Sequence, residues 1–358
     1  MDLLNLVLDL AELAELPSVI EGGSPPPDKV TGRVAHIDGD FLAYIVSADR
    51  KDEDPTTVPQ AIQHLEEFIS QIMLYSGSDD YMLYITQGDK GGRAEQARLK
   101  RYQENREDKK RPLILGDVRR HMAMDFQCTV CEDAEADDYL AWALYQGRQR
   151  GEENLNVLVS QDKDLRMVPG MHYNWMSEGL TTVDNLGSLE LHEYETESGN
   201  KVKKLRGTGG LWFFAQLLMG DAADNISGLP YVTGNILNMV KPTQATTKAW
   251  ATLDDPKATE KQKAKAQSVL DSRKPGRCGQ MFVWEYLKDC KSLKEAYSLV
   301  INAYAAYHLL IGFKDYNDEP ISVSEAFDSE CRLLYMRHNL GSEDFREYLD
   351  GIVSGEIA

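Results

Sequence analysis

Apolar residues recur at two different periods along this chain. Leu3, Leu4, Val7, Leu10, Leu13 and Leu16 fall on one helical face, and GGSPPP (22–27) then interrupts the pattern. This predicts a helix and linker over 1–29. Short apolar runs of strand length follow at VAHI (34–37), YMLYIT (81–86), MDFQCTV (124–130) and NVLVS (156–160). Between them, AIQHLEEFISQIML (61–74) and AEADDYLAWALYQGRQR (134–150) have helical spacing. Strands alternating with helices predict an α/β domain over 30–205, a mostly parallel sheet flanked by helices. HYNWM (172–176) predicts one more strand, and 186–194 with 201–207 a hairpin around Ser198-Gly199-Asn200. From 206 to 358 the pattern is mostly helical, and LWFFAQLLM (211–219) reads as core. GDAADNISGLPYVTGNIL (220–237) predicts a helix, a Gly-flanked turn and a second helix. The polar, Lys-rich segment 241–279 predicts a mobile insertion.

Composition adds limits. The 358 residues are 42% hydrophobic and 27% charged, which is globular and ample for one large or two fused domains. No run of eighteen apolar residues exists, so no membrane-spanning helix is expected. The Leu-rich start has no Lys or Arg before Lys29 and is interrupted by Asp2, Asp9 and Glu12, which argues against a secretory signal. With five cysteines, the expected setting is a reducing cytoplasm with free thiols. The net charge of −19 argues against a nucleic-acid partner only until its distribution is read. Residues 90–120 carry eleven Lys/Arg against five Asp/Glu, and 241–277 carry nine against four. Such positive islands bind phosphate even in a negative background.

The acids fall where the strands end. Asp38 and Asp40 close the first strand, Asp89 follows the second, Glu135, Asp137 and Asp138 open the helix after the third, and Asp162 and Asp164 follow the fourth. In a parallel sheet these ends share one edge. Asp162 and Asp164, two apart, point the same way in extended chain. Glu135 with Asp138, and Asp221 with Asp224, are three apart and share a helix face. Each acid taken singly is an ordinary cap or turn residue. With 221–224 folded over the sheet edge, nine carboxylates would converge: Asp38, Asp89, Glu135, Asp137, Asp138, Asp162, Asp164, Asp221 and Asp224. So many like charges require cations, and hard oxygen ligands select Mg²⁺ or Mn²⁺. Two such ions suit phosphodiester hydrolysis.

On these residues the chain resembles the phage and bacterial 5′-nuclease family of 5′→3′ exonucleases and flap endonucleases, with a PIN-like fold. The matching pieces are IDGDFLAY (37–44), QGDKGGR (87–93), RYQENR (101–106), EADDYLA (135–141), SQDKDL (160–165) and LMGDAADNISGL (218–229). The N-terminal helix and HLLIGFKDYNDEP (308–320) look most like the short exonucleases of T7-like podophages. The resemblance implies two metal groups, a tighter one of Asp38, Asp89, Glu135, Asp137 and Asp138 and a second of Asp162, Asp164, Asp221 and Asp224. It also implies a basic arch over 90–120. Where the family's arch has Tyr-Lys-x-Asn-Arg, this chain has Tyr102-Gln103-Glu104-Asn105-Arg106. Gln103 cannot replace a cation, which leaves Arg106, Lys100 or Arg101 for that task. A K⁺ ion at the 228–234 turn is a further family feature, although Tyr231-Val232-Thr233-Gly234 replaces the usual Gly-Ile-Gly.

Residues 93–111 contain no Gly or Pro and predict a helix, either a solvated surface helix or an arch over the active site. Tyr102 and Arg106 would share a face, one to stack on a base and the other to grip a phosphate. With Lys90, Arg106 would neutralise developing charge. Lys100, Arg101, Gly228, Gly234, Asn235 and Lys241 are the candidate DNA contacts, the turn through backbone N–H groups. The expectation is hydrolysis near 5′ ends or flaps of duplex DNA, with RNA of RNA:DNA hybrids as a second substrate. It would serve primer removal, recombination or host DNA breakdown, in the host cytoplasm for a phage protein. The rivals are a PIN-like ribonuclease and a DNA-end-binding protein whose acids are structural. Cys128 and Cys131 form a C-x-x-C without a second pair and read as structural. His36 reads as a hydrogen-bonded core residue.

Overall fold

The computed structural model describes residues 25–49, 54–87, 92–106, 110–175, 179–196, 199–229, 231–232, 234–272, 278–340 and 344–357. The helix expected over 3–16, and Asp89 and Lys90, lie outside the described residues. The chain forms two compact units. One comprises residues 1–92, 108–184 and 336–344, and the other 93–107, 185–335 and 345–358. The chain therefore passes between them several times, rather than once near 205.

The first unit is the expected sheet. Its strands are β1 (Val34–Asp38), β2 (Asp80–Thr86), β3 (Cys128–Cys131), β4 (Asn156–Val159), β5 (Gly170–Asn174) and β6 (Gly179–Val183). They lie in the order β3-β2-β1-β4-β5-β6. The first five are parallel, and β6 adds an antiparallel edge that the sequence pattern did not show. β-Strand side chains alternate between faces. Ala35 and Ile37 of β1 share a core with α1 (Gly39–Ser47), α2 (Val58–Ser76) and α4 (Leu115–Asp125), which bury Leu42, Leu65, Phe68, Val118 and Met122. Burying each such side chain contributes roughly 1.5–3 kcal/mol. His36 and Tyr84 alternate to the other face, where Tyr139 of α5 (Ala136–Gln149) meets Tyr84. His36 hydrogen-bonds Tyr84 Oη at 2.9 Å and Asn156 Oδ1 at 3.0 Å, so it is the core histidine expected. Met124 and Asp125 end α4, and β3 starts only at Cys128, later than the apolar run suggested.

The second unit is mostly helical. The expected hairpin is present as β7 (Leu189–Glu195) paired antiparallel with β8 (Lys201–Gly207). Next comes α6 (Gly209–Met219), in which every residue from Leu211 to Leu218 is buried, as its apolar run predicted. The remaining helices are α7 (Gly234–Val240), α8 (Gln244–Asp254), α9 (Glu260–Asp271), α10 (Gln280–Leu287), α11 (Leu293–Leu310), α12 (Val323–Leu334) and α13 (Asp344–Ser354). Tyr304 of α11 is fully buried and donates to Leu217 O of α6 at 2.7 Å.

Three expectations fail here. The 241–279 segment contains two capped helices, α8 and α9, closed on a small core of Ala249, Ala266 and Leu270 with Trp250, Leu253 and Val269. Its few apolar residues meet across a hairpin, which a linear count of polar residues misses. GDAADN is not a helix: Asp221 and Ile226 pair backbone to backbone across a tight turn. Asp221 and Asp224 therefore share a loop rather than a helix face. Finally, 93–111 is not one helix. Among its described residues it holds one helical turn, α3 (Arg93–Gln96), and a 3₁₀ turn at Glu104–Arg106. The physical reason is tertiary: Arg93 is buried and donates to Leu333 O, and Arg98 N–H donates to Ser329 Oγ, so the segment follows α12 instead of coiling alone. Tyr102 and Arg106 thus lie in separate turns. Among the described residues, no helix is long and apolar enough to cross a membrane.

Candidate functional site

Strand order reverses between β1 and β4 in the first unit. At such a switch point the connections leave in opposite directions, and a crevice opens beyond the carboxyl ends. Asp38 ends β1 there and caps α1, with Oδ1 accepting from Phe41 N–H at 3.0 Å. Gly39 makes this turn possible, because a Cβ would sit 2.6 Å from Tyr84 O. Across the switch point, Ser160 donates to Asp38 Oδ2 at 2.9 Å and accepts from Asp162 N–H at 3.0 Å. Burial, with Asp40 and then Asp162 nearby, raises the Asp38 pKa, while the Phe41 and Ser160 hydrogen bonds oppose the rise.

The neighbouring acids are held individually. Asp162 and Asp164 do not project from extended chain. Asp162 Oδ1 accepts Asp164 N–H at 2.8 Å, and Asp164 starts a 3₁₀ turn with its carboxylate 3.2 Å from Lys163 Nζ. Glu135 is the N-cap residue of α5, so it and Asp138 are consecutive parts of a helix start. Ala136 N–H donates to Thr86 Oγ1 at 2.9 Å, which ties that start to the end of β2. Asp137 is half-buried and Asp138 fully buried.

Three further residues of this unit matter and carried no sequence signal. Ser160 joins Asp38 to the Asp162 turn. Arg119 pairs with Asp40 at 3.0 Å. Arg337 approaches Asp138, its backbone N–H 3.3 Å from Oδ1 and its Nε 3.7 Å from Oδ2. Arg337 is 199 residues away in sequence, beyond any spacing rule. The donor set at the edge is carboxylate and hydroxyl oxygen, which fits Mg²⁺ or Mn²⁺. Burial pushes the Cys128 and Cys131 thiols up to about 11 and about 12, so both stay protonated and neither is a ready ligand.

In the second unit, Asp221 and Asp224 each offer a carboxylate oxygen within 4.8 Å of the other's. Asp221 Oδ1 accepts Ala223 N–H at 2.8 Å, closing the turn from inside. Residues 101–105 bind this turn from outside. Gln103 N–H donates to Asp224 O at 2.9 Å and Gln103 Nε2 to Asp224 Oδ1 at 2.8 Å. Asn105 Nδ2 donates to Ala222 O and Asn225 Nδ2 to Arg101 O, both at 2.8 Å. Gln103 (φ 54°) and Asn225 (φ 58°) are both left-handed, a conformation costing about 1–2 kcal/mol in a residue with a Cβ. Beyond the turn, Gly228 N–H is buried and donates to Glu330 Oε2 at 2.6 Å. A Cβ at Gly228 would sit 2.2 Å from Gly220 N. Burial raises Glu330 to about 7, against hydrogen bonds from Gly228 and Ser227 and the charge of Lys100.

The candidate DNA contacts are placed unequally. Lys100 and Arg101 are exposed, with the Arg101 guanidinium 5.4 Å from the centre of the Tyr316 ring. Tyr102 is half-buried, and its hydroxyl accepts from Gln103 Nε2 at 3.1 Å. Arg106 ends the 3₁₀ turn. Gly228 directs its N–H inward to Glu330, so it offers none to a phosphate. Gly234 and an exposed Asn235 open α7. Lys241 pairs with Glu285 at 3.3 Å. The K⁺ expected at 228–234 falls partly outside the described residues.

No described protein family matches this chain, and no curated protein does. Among solved structures it is similar to a bacteriophage T5 flap endonuclease in a pseudo-enzyme-product complex with DNA and metal ions. That match has 13% identity and a TM-score of 0.40, over 84% of this chain and 99% of that one. It is also similar to a T5 5′-exonuclease with bound divalent zinc ions, at 14% identity and a TM-score of 0.40, over 85% of this chain and 100% of that one. Superpositions this loose carry no activity across.

Proposed function

We propose that this chain is a divalent-metal-dependent 5′ nuclease that hydrolyses phosphodiesters near the 5′ ends or flaps of duplex DNA. The observation that supports this most is the switch point of the sheet, where Asp38 is buried and crowded by Asp40 and Asp162. A cation beside a carboxyl so placed would favour its charged form. In this reading Asp38, Asp89, Glu135, Asp137 and Asp138 form one group of ligands, and Asp162, Asp164, Asp221 and Asp224 the other. When bound, Mg²⁺ or Mn²⁺ supplies positive charge at the scissile phosphate and lowers the pKa of water.

The chain's own residues do the positioning. Phe41 N–H and Ser160 Oγ fix both oxygens of Asp38. Arg337 lies against Asp138, and Arg119 pairs with Asp40. Lys100 and Arg101 bind backbone phosphates without reading sequence. Tyr102 offers a ring for stacking, and Lys90 and Arg106 neutralise the charge that develops in the reaction. Gly234 and Asn235 hold duplex phosphate at a helix start. RNA in RNA:DNA hybrids is the second substrate, and primer removal, recombination or host DNA breakdown the role.

The test is cleavage of a duplex with a 5′ flap and one internal label, with Mg²⁺ and with EDTA. Mg²⁺-dependent cutting near the 5′ end is expected, and product size separates exonuclease from flap cutting. Tight binding in EDTA with no cutting in Mg²⁺ or Mn²⁺ would instead support an end-binding protein.

A further inference from the structure

The second unit strains two residues with side chains to bring 101–105 onto the 221–226 turn. Left-handed backbone at Gln103 and Asn225 is disfavoured, and it persists only where neighbours over-determine it. Here they do, because Gln103 binds Asp224 through both its backbone and its side chain. Both hydrogens of the Gln103 side-chain amide are used, one on Asp224 Oδ1 and one on Tyr102 Oη. The amide therefore has one orientation in which both bonds are made, and Asp224 is held in register with it. A lysine there would also hold Asp224, but its charge would cancel that of the carboxylate. An amide orients the carboxylate and leaves its negative charge intact.

We infer that Gln103 is a positioning residue that orients the Asp224 carboxylate for a divalent cation while adding no charge of its own, the 101–105 segment being the strap that carries it. The inference rests on the proposed metal-dependent function. It gives the Gln at the expected arch-lysine position a task of its own, rather than the loss of one. It also couples the basic stretch at Lys100 and Arg101 to the acid turn, since Arg101 O accepts from Asn225 of that turn.

The experiment uses the full chain with Gln103→Ala, Gln103→Glu and Gln103→Lys, and two readouts that need no DNA. One is Mn²⁺ affinity by calorimetric titration. The other is the rate of tryptic cutting after Lys100 and Arg101 in EDTA. Gln103→Ala should weaken the Mn²⁺ site of lower affinity by about tenfold and speed cutting severalfold. Gln103→Lys should keep the protection from trypsin, through an ion pair with Asp224, and still weaken Mn²⁺ about tenfold or more. Gln103→Glu sets two carboxylates together. It should cut fastest in EDTA, regain protection in Mn²⁺ and bind Mn²⁺ at least as tightly as wild type. Wild-type Mn²⁺ binding with Gln103→Ala and Gln103→Lys unchanged overturns the inference alone. A wild-type chain that binds no Mn²⁺ overturns the proposed function, and the inference with it.

Discussion

The two regions that carry acids are built differently. At the sheet edge of the first unit, Asp38 is placed by its own strand end and by the first turn of the helix it caps. In the second unit, Asp221 and Asp224 sit on a turn whose shape depends on a segment more than a hundred residues earlier. One arrangement follows from regular backbone geometry, and the other from side-chain hydrogen bonds and two strained residues. A change of charge at Asp38 should therefore show in function before stability. The turn should respond first in local order.

The sharpest test of this contrast is Asp38→Asn. Cleavage should fall roughly 100-fold or more. Stability in EDTA should hold or rise, because the amide has no charge to bury. The sign follows from the raised Asp38 pKa. Between the ordinary carboxylate range and that raised value the folded state binds more protons than the unfolded state, so wild-type stability falls as pH rises. The variant should lose that slope, and cleavage at the wild-type rate would refute the edge as the reacting centre.

Arg337→Ala comes next. It takes the Arg337 guanidinium away from the fully buried Asp138 and should cost about 3 kcal/mol in denaturant unfolding. Were unfolding unchanged, Arg337 would not be what holds Asp138.

Glu330→Gln keeps an acceptor for Gly228 N–H and removes a buried charge. Raised to about 7, Glu330 contributes most to stability below its ordinary range, and loses that contribution as pH rises towards 7. Melting temperatures from pH 4 to 8 should fall less steeply in the variant, and parallel curves would exclude Glu330 as the titrating group.

The smallest effect expected is for Asn105→Ala. Loss of its exposed hydrogen bonds to Ala222 O and Ala223 O should cost about 0.5–1 kcal/mol. Hydrogen exchange in 101–106 and 221–226 should rise together. A rise in only one segment would separate the strap from the turn.

The particular elements show why reading the chain succeeded unevenly. Strands β1 to β4 and helix α5 were legible because each has its own period, and the acids at their ends follow once the sheet is parallel. The basic run at 93–111 reads as a helix because it lacks Gly and Pro. Yet burial of Arg93 and bonding of Arg98 to Ser329 hold it along α12. The 241–279 segment reads as mobile because apolar residues are sparse in it. Ala249, Ala266 and Leu270 suffice once α8 and α9 face each other. Gln103 reads as a missing cation and stands as a donor to Asp224.

By itself, then, the sequence determined the parallel sheet, the carboxylates at its edge and the buried α6, since periodicity and strand-end position are local properties. Only the tertiary structure decided which acids have partners and which segments are straps. Arg337 for Asp138, Arg119 for Asp40 and Gln103 for Asp224 are pairings across long stretches of chain. Such contacts depend on distance in space, which no local period encodes.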